Sequence, residues 1–425
     1  MTTKTMEDIT ALGKAAYQAS RKLARLSTED KNQVLLNLAE LLRSNQADVL
    51  AANQEDYQEA KSDGMDESLL DRLLLTSDRL NGTAAEIQTV AELPDPIGEV
   101  IETTSLPNGL VTSRRRVPLG VVGSIYEARP NVTVDIFGLC LKSGNACILR
   151  GGKETIRSNT SLVALLRKAL SDAGVTEDAV QFVDNPDRSL VDAMLKMNQY
   201  IDLLVPRGGA SLVKFVAENA TMPAVTGGIG VCHTYVDRAA DLKMAVEIVH
   251  NAKVRRPSIC NALDTVLVHA EVAASGLPLM AKELAASGVE LHCDSRALSI
   301  LGPDAPATVK PANEDDWGQE FLSLTAAVKV VDSLEDALEH IETYGSGHSE
   351  AIITEDEAAA NRFLDEVDAA AVYVNASTQF TDGGQFGLGA EVGISTQKFH
   401  ARGPMGLKEL TSYKWVILGQ GQTRP

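Results

Sequence analysis

The sequence predicts an α/β fold with two doubly wound domains and a protruding β-hairpin arm, on three observations. From residue 118, short apolar runs alternate with helical patterns, and a second alternating block begins near His233. Strands that alternate with helices are typical of parallel sheets covered by helices. Ahead of these blocks, Asn108-Gly109 separates two β-prone runs, and this dipeptide is a strong hairpin signal.

The predicted elements follow in chain order. Residues 6–75 are expected to be helical, because Ser27-Thr-Glu-Asp30 resembles a capping box and apolar residues then recur at helical spacing. The hairpin strands are expected at 99–105 and 110–117. In the first block we expect strands at 120–125, 146–149, 180–183 and 201–205, and helices at 135–142, 158–170, 189–197 and 211–219. In the second block we expect strands at 264–269, 289–293, 327–331, 350–353 and 371–375, helices at 241–252, 277–287, 333–344 and 355–367, and then a β-prone tail at 411–418.

Composition excludes several classes of partner. With 425 residues the chain is too long for one ordinary core, and its formal charge of −19 argues against nucleic acid or an anionic membrane surface. The five cysteines, at 140, 147, 232, 260 and 293, show neither metal-ligand pairs nor a disulfide framework, which fits a reducing cytoplasm. The polar N-terminus has no signal-peptide core, and no run of roughly 18 apolar residues predicts a membrane span. We therefore expect a cytoplasmic protein without a metal site.

Cys260 is the candidate nucleophile. It stands in Lys253-Val-Arg-Arg-Pro-Ser-Ile-Cys-Asn261, just before an apolar strand. Nearby cations favour the thiolate, the reactive form of cysteine, and Lys253, Arg255 and Arg256 supply such charge. The alternative from this window alone is that Cys260 is a small buried hydrophobic residue.

Two predicted strand ends carry candidate anion-binding loops. Glycines beside cations let backbone N–H groups and positive side chains converge on a phosphate, and a helix N-terminus adds further donors. The candidate residues are Arg150, Gly151, Gly152 and Lys153 after one strand, and Arg207, Gly208 and Gly209 after another. The alternative is that these glycines only form turns.

The order of these parts resembles the aldehyde dehydrogenase superfamily over nearly the whole chain. The most specific match is the stretch 331–352, which fits the signature of the gamma-glutamyl phosphate reductase (glutamate-5-semialdehyde dehydrogenase) family with His340, Tyr344, His348 and Glu350 in register. The segments 126–131, 231–237, 254–261 and 317–322 are similar to the oxyanion-side loop, the link into the catalytic domain, the nucleophile loop and the ribose-binding segment of relatives.

The resemblance implies that different segments of the chain form domains with different functions. Residues 1–97 and 118–231 correspond to a cofactor-binding domain, residues 98–117 and 405–425 to an oligomerisation hairpin and tail, and residues 232–404 to a catalytic domain. Cys260 is implied to form a thioester, the Asn131 side chain to stabilise an oxyanion, and Glu320 to contact the nicotinamide ribose. For Asn131 the alternative is a simple turn residue.

The implied reaction is the NADPH-dependent reduction of L-glutamyl 5-phosphate to L-glutamate 5-semialdehyde and phosphate, the second step of proline biosynthesis from glutamate. Hydrolytic aldehyde dehydrogenases carry a water-activating glutamate where this chain has Val225-Thr-Gly-Gly-Ile-Gly-Val231, without a carboxylate. Phosphate or hydride, rather than activated water, is therefore expected to resolve the thioester. A hydrolytic NAD-dependent aldehyde dehydrogenase and a non-catalytic binding homologue are the alternatives.

Cofactor preference follows from one position. By the resemblance, relatives that prefer NAD carry a glutamate at the position of Lys153, and Arg150 with Lys153 suits a 2′-phosphate instead. We therefore expect NADP(H), the alternative being that both side chains are solvated surface cations.

Substrate anions and partners complete the expectations. Arg129, Arg255, Arg256, His400 and Arg402 are candidates for binding the phosphate and carboxylate of the substrate. The hairpin arm and the tail indicate a homo-oligomer, a dimer or a tetramer. A separate glutamate 5-kinase that hands over its unstable acyl phosphate is the expected protein partner.

Overall fold

The structure, a computed structural model, describes residues 6–227 and 229–424. It divides the chain into two compact units. The first unit comprises the chain up to Thr226 with residues 387–393 and 405–425, and the second comprises residues 227–386 and 394–404. The segment 387–393 groups with the first unit because its end pairs with Met405: Val392 donates to the Met405 carbonyl, and Met405 donates to the Gly393 carbonyl, each at 2.9 Å.

The N-terminal part of the first unit is helical: the prediction for residues 6–75 is confirmed, and a further helix at Ser77–Glu92 lies beyond the predicted range. The Ser27 side chain accepts a hydrogen bond from the Asp30 backbone at 3.0 Å and so caps the second helix, whose Leu35, Leu38 and Leu42 are fully buried. The helices are α1 (Met6–Leu23), α2 (Thr28–Ser44), α3 (Gln46–Ser62), α4 (Glu67–Leu73) and α5 (Ser77–Glu92).

The predicted hairpin follows these helices. Its strands are β1 (Val100–Ser105) and β2 (Val111–Pro118), which pair in antiparallel fashion. Gly109 has a φ of +83°, a conformation that favours glycine, and the Asn108 side chain accepts from the Leu110 backbone at 3.1 Å. The Asn-Gly signal is therefore confirmed as the turn.

A four-stranded parallel sheet, in the order β5-β4-β3-β6, forms the rest of the first unit. The register pairs Tyr126 with Gly151 on one side and with Arg207 on the other. Both candidate anion-binding loops therefore flank the end of the central strand, where residues 126–131 begin. The elements are β3 (Val121–Tyr126), α6 (Val132–Lys142), β4 (Ala146–Gly151), α7 (Ile156–Asp172), β5 (Val180–Phe182), α8 (Arg188–Met194), β6 (Leu203–Arg207) and α9 (Ala210–Asn219).

The second unit has a seven-stranded parallel sheet in the order β10-β9-β11-β8-β7-β12-β13. Every residue of its central strand β8 is buried, in accord with the apolar residues Val266, Leu267 and Val268 in its middle. The elements are β7 (Cys232–Val236), α10 (Leu242–Val254), β8 (Leu263–His269), α11 (Ala270–Ala286), β9 (Glu290–Cys293), α12 (Ser295–Leu301), β10 (Val309–Pro311), β11 (Thr325–Val331), α13 (Leu334–Tyr344), β12 (Ser349–Ile353), α14 (Glu357–Glu366) and β13 (Ala371–Val374), followed by the short strands β14 (Ile394–Ser395) and β15 (Gly403–Pro404).

The tail returns to the hairpin. Strand β16 (Thr411–Leu418) pairs with β2 in antiparallel fashion, so that β1, β2 and β16 form a three-stranded sheet. The side chains of Tyr413 and Trp415 are 46% and 53% exposed, and the Arg114 guanidinium lies 4.8 Å and 5.9 Å from their ring centroids. The predicted α/β class with parallel sheets and a hairpin arm is thus confirmed.

Candidate active site

Cys260 lies in the turn that connects α10 to β8, and its side chain is half-buried. The other cysteines, Cys140, Cys147, Cys232 and Cys293, are buried. Burial raises the pKa of Cys147, Cys232 and Cys293, so these thiols stay protonated at neutral pH. Cys260 is therefore the cysteine whose sulfur is best placed to meet a small substrate.

The backbone of Cys260 is fixed by two neighbours. A Cβ atom at Gly230 would stand 1.4 Å from the Cys260 carbonyl oxygen, so this close approach requires glycine. The same oxygen accepts a hydrogen bond from the Cys232 thiol at 3.3 Å. The loop that carries the candidate nucleophile is thus held through its main chain and not only through side chains.

Glu320 is tied to the same loop through Gly230. The Gly230 N–H donates to Oε1 of Glu320 at 3.0 Å, and the neighbouring Phe321 N–H donates to Oδ1 of Asp264 at 3.1 Å. The structure therefore brings the predicted nucleophile Cys260 and the predicted ribose ligand Glu320 to one glycine of the second unit.

Gln379 shapes the nucleophile loop, although sequence reasoning did not single it out. Its Nε2 donates to the carbonyls of Ala252 and Arg256 at 2.9 Å and 3.3 Å, and its Oε1 accepts from Arg255 at 3.1 Å. The Asn261 side chain in turn donates to the Gln379 carbonyl at 3.3 Å. Arg255, a candidate substrate ligand, is therefore oriented by Gln379.

The positive charge of Lys253 is buried and paired with a carboxylate inside the protein. Its ammonium is fully buried, donates to the Leu263 carbonyl at 2.8 Å and lies 3.6 Å from Oδ1 of Asp264. Burial lowers the pKa of Lys253 and raises that of Asp264 to about 6, while each partner opposes the shift of the other. Of the cations expected to favour the thiolate, Lys253 is thus neutralised by Asp264, whereas Arg255 and Arg256 are exposed.

Three histidines of the second unit are buried close together. Nδ1 of His233 lies 3.0 Å from Oε2 of Glu350, and the His233 and His340 rings pack edge to face at 5.4 Å. Burial lowers the pKa of His340 to about 3 and that of His348 to about 4, so both are neutral at neutral pH. Nδ1 of His348 hydrogen-bonds to the Ser349 hydroxyl at 2.8 Å. The signature stretch therefore builds a buried polar core beneath the Val231 segment.

Asn131 opens helix α6 in the first unit. Its side chain makes no capping hydrogen bond; instead Nδ2 donates to Oδ2 of Asp135 at 2.9 Å. Arg129, a candidate substrate ligand, is half-buried and follows Ala128, whose φ of +44° is unusual for a residue with a side chain. The Ala128 N–H donates to Glu154 at 2.7 Å, which fixes this strained turn.

The loop after β4 presents cations. The Arg150 guanidinium donates through Nη2 to the Pro186 carbonyl at 3.0 Å, while its Nε is buried without a hydrogen-bond partner among the described residues. Burial lowers the pKa of Arg150, and the nearby Arg188 adds to this effect. Lys153 is 74% exposed and lies 3.7 Å from the Asp63 carboxylate. Arg188, which sequence reasoning missed, thus joins the two predicted cations.

Internal carboxylates lie against both glycine loops. The Gly209 N–H at the start of α9 donates to Oε2 of Glu127 at 3.1 Å, and a Cβ at Gly208 would stand 2.4 Å from the same oxygen. A Cβ at Gly152 would likewise stand 2.0 Å from Oε1 of Glu154. The loop after β6 therefore donates an N–H to Glu127, whereas Glu154 packs closely against Gly152 of the loop after β4.

The two C-terminal substrate candidates differ in their surroundings. Arg402 is bound to Asp368 through Nη1 at 2.6 Å and to the Asp368 carbonyl at 2.9 Å, and Lys398 pairs with the same carboxylate. His400 is exposed and has a φ of +79°. Asp368 therefore holds the segment between β14 and β15 in place, and the Arg402 guanidinium is already paired with its carboxylate.

Residues 6–227 and 229–424 contain no group of three or more His, Cys, Asp or Glu residues that could hold a metal ion. Within the same residues, no helix is both long and apolar enough to cross a membrane.

The sequence of this chain is similar to those of known enzymes. The model of the aldehyde dehydrogenase family matches residues 1–303 and 318–416. A curated gamma-glutamyl phosphate reductase from Dehalococcoides mccartyi is 55% identical over 421 residues, which cover 99% of each protein. One from Escherichia coli is 54% identical over 408 residues, which cover 96% of this chain and 98% of that protein.

Solved structures agree. The crystal structure of gamma-glutamyl phosphate reductase from Thermotoga maritima superposes with a TM-score of 0.95 at 47% identity, covering 98% of this chain and 100% of that one. An acetylating aldehyde dehydrogenase from Geobacillus thermoglucosidasius shares the fold, with a TM-score of 0.69 at 16% identity over 99% of this chain and 98% of that one. The chain therefore belongs to the aldehyde dehydrogenase family and, within it, to the gamma-glutamyl phosphate reductases.

Proposed function

We propose that this chain reduces L-glutamyl 5-phosphate to L-glutamate 5-semialdehyde with NADPH and releases phosphate, the second step of proline biosynthesis from glutamate. The observation that carries the proposal is the half-buried thiol of Cys260, which shares Gly230 with the Glu320 carboxylate. Identity of 55% over nearly the full length of a gamma-glutamyl phosphate reductase supports the same substrate.

The chemistry follows from the residues that the chain supplies. The Cys260 thiolate attacks the acyl carbon, the bond from that carbon to the phosphate oxygen breaks, and a thioester remains on Cys260. A nicotinamide cofactor, for which Glu320 is the proposed ribose ligand, would supply the hydride that reduces this thioester. Cleavage of the C–S bond then releases the aldehyde and restores the thiolate. The Asn131 amide and the Cys260 backbone N–H are the proposed donors to the oxyanion, and each such donor is worth about 3 kcal/mol of transition-state stabilisation.

The segment around Gly230 supports reduction over hydrolysis. Between Met222 and Tyr235 the sequence contains no aspartate or glutamate that could activate water. Glu320, the carboxylate that does approach this segment, accepts the Gly230 N–H. A thioester on Cys260 is therefore expected to persist until hydride or phosphate reaches it.

The first experiment follows NADPH formation from NADP⁺ and glutamate 5-semialdehyde, with and without phosphate, for the wild type and Cys260→Ala. Turnover that requires phosphate and is lost in the variant is the expected result. Turnover without phosphate would support the hydrolytic NAD-dependent alternative. No turnover with either cofactor, together with unreactive Cys260 in thiol labelling, would support a non-catalytic binding homologue.

NADP(H) is the proposed form of the nicotinamide cofactor. The partnerless Nε of Arg150, the exposed Lys153 and the nearby Arg188 fit a 2′-phosphate, whereas a 2′-hydroxyl would call for a carboxylate. Lys153→Glu should shift the ratio of kcat/KM values toward NADH. Lys214→Glu is the matched control, because Lys214 is 75% exposed and lies 3.8 Å from Glu218, much as Lys153 lies near Asp63.

A homo-oligomer, a dimer or a tetramer, is proposed from the arm sheet. Strand β16 lies at the edge of the three-stranded sheet, and its Trp415 and Ile417 are each 53% exposed. An unpaired strand edge with exposed apolar side chains is a ready site for pairing with another subunit. Light scattering of the wild type and Ile417→Lys tests this, and a monomeric wild type would refute it.

Cellular context completes the proposal. Five free cysteines, four of them buried, are consistent with a cytoplasmic location, which fractionation would test. Glutamate 5-kinase is the proposed partner, because direct transfer would protect an unstable acyl phosphate from water. Co-purification of the two proteins, and its absence with an unrelated kinase, is the corresponding test.

A further inference from the structure

The side chain of Asn131 is not used in the way that a helix-capping asparagine is used. A cap would accept a backbone N–H of the first turn through its Oδ1. Here the Asn131 backbone carbonyl accepts the N–H groups of Val134 and Asp135, and the side chain makes no capping bond. The Asn131 amide points instead to Asp135, where Nδ2 donates to Oδ2 at 2.9 Å.

A carboxylate at position 135 is unusual for a residue with a purely structural role. Every other residue of α6 is buried, and the helix is otherwise apolar except for Thr133 and Lys142 near its ends. A half-buried carboxylate on such a helix is costly unless it has a specific partner. Burial raises the pKa of Asp135 to about 7.

The charged groups near Asp135 do not explain its presence either. Glu86 on α5 repels its charge and raises the pKa further, whereas Arg207 at the end of β6 lowers it. No salt bridge joins Asp135 to a cation among the described residues. The contact with Asn131 is therefore the specific interaction that the carboxylate makes.

Once ionised, above its pKa of about 7, the Asp135 carboxylate can only accept hydrogen bonds, so it dictates which way the amide faces. With Nδ2 on Asp135, one N–H is used and the second remains available to a substrate oxygen. If the amide were flipped, its Oδ1 would face the carboxylate and the two oxygens would repel each other. Asp135 thus selects the orientation in which Asn131 offers a donor, which is what an oxyanion requires.

We infer that Asp135 is a positioning residue of the reaction: it holds the Asn131 amide in the orientation that leaves one N–H available as a hydrogen-bond donor. This inference rests on the proposed function, in which Asn131 is an oxyanion donor. Asp135 itself does not touch the substrate and acts through Asn131.

The test is a double-mutant cycle with Asn131→Ala and Asp135→Leu, measured as kcat and KM of the full-length enzyme. Asn131→Ala should lower kcat by about 100-fold. Asp135→Leu, which removes the acceptor and keeps a branched side chain, should lower kcat by about 10-fold or more, because misorientation of a catalytic group has effects of this order. The KM for NADPH should change in neither variant. In the Asn131→Ala background, Asp135→Leu should cause no further loss of kcat.

Two further variants distinguish a positioning role of Asp135 from an effect on folding and from an effect of its negative charge alone. Asp135→Asn retains an acceptor oxygen and should restore most of kcat relative to Asp135→Leu. Glu86→Gln changes a neighbouring charge without touching Asn131 and should leave kcat within about twofold.

The outcomes are distinct. Additive losses in the cycle, or an effect of Glu86→Gln equal to that of Asp135→Leu, would overturn the positioning role while the reductase activity stands. An unchanged kcat in Asn131→Ala would remove the oxyanion role of Asn131 and the inference with it. If Asp135→Leu does not fold, a kcat of Asp135→Asn as low as that of Asn131→Ala would refute the inference.

Discussion

The backbone N–H of Gly230 donates a hydrogen bond of 3.0 Å to the Glu320 carboxylate. On its other side, Gly230 packs against the Cys260 carbonyl so closely that it has no room for a side chain. One glycine therefore sets the spacing between the candidate nucleophile and the candidate cofactor ligand. The first two predictions test the two sides of this glycine.

Gly230→Ala should displace the Cys260 loop, because its Cβ would lie 1.4 Å from a backbone oxygen that cannot rotate away. We expect kcat to fall by about 100-fold, with slower thiol labelling of Cys260. Gly82→Ala in α5 is the control, since no atom lies within 4 Å of the added Cβ, and it should raise stability by about 0.5 kcal/mol. Equal activity of the two variants would refute the role of Gly230.

Glu320→Gln keeps an oxygen that can accept the Gly230 N–H but removes the negative charge. We expect a raised KM for NADPH with unchanged thiol labelling of Cys260, because the loop stays in place while ribose binding weakens. Glu320→Ala should affect both properties. A KM that rises for the acyl phosphate and not for NADPH would contradict the assignment of Glu320 to the cofactor.

Lys253→Met should destabilise the second unit. The substitution leaves the Asp264 carboxylate buried without its cation, and breaking a buried pair on one side costs about 3–5 kcal/mol. Urea unfolding followed by circular dichroism measures this change. The double variant Lys253→Met/Asp264→Leu should recover part of the loss, whereas an equally large loss in the double variant would argue against a coupled pair.

Stability should fall on acidification through the buried histidines. The pKa values of His340 and His348 are lowered to about 3 and about 4 in the folded protein, whereas unfolded histidine titrates near 6.5. Between these values the unfolded chain binds more protons, so the free energy of unfolding decreases as the pH falls, by up to about 2 kcal/mol per histidine between pH 6.5 and 5.

The contribution of one histidine must be measured by itself, because Asp135 and Asp264 have raised pKa values. Over part of this pH range these two carboxyl groups increase the free energy of unfolding as the pH falls. Urea unfolding at pH 7 and pH 5 should show a smaller loss for His348→Gln than for the wild type. His250→Gln, outside the buried cluster, is the matched substitution. The same loss in the wild type and His348→Gln would refute the prediction.

Much of the fold is readable from the sequence because most strands of the parallel sheets contain short apolar runs and the strands of the arm are rich in β-prone residues. The predicted tail at 411–418 is observed as β16 with the same bounds. Strand β10 and helix α12 were not predicted, because three and seven residues are too short to show a period. The pairing of β10 with β9 decides its conformation, and that contact is not visible locally.

The sequence allows the types of residue in the candidate site to be predicted, but few of their hydrogen-bond and ion-pair partners. Arg402 is recognisable as a cation, but its pairing with Asp368, 34 residues earlier, follows from the fold alone. Gln379 shapes the Cys260 loop from a distant segment that has no motif of its own. Asp135 is different, because its spacing of four residues from Asn131 places both on one helical face and is visible in the sequence.

The late position of β16 has a consequence during synthesis. Its partner strand β2 is made long before it, since Ser113 and Val416, which are hydrogen-bonded across the pair, are 303 residues apart in the chain. Until the tail leaves the ribosome, β2 presents an open edge on which nascent chains could associate. That strand carries Arg114, Arg115 and Arg116 in succession. Arg114 and Arg116 pair with Glu102 and Glu99, so Arg115 adds a net positive charge that repels the same strand of a second copy. We expect this charge to disfavour association of nascent chains through β2 until β16 pairs with it.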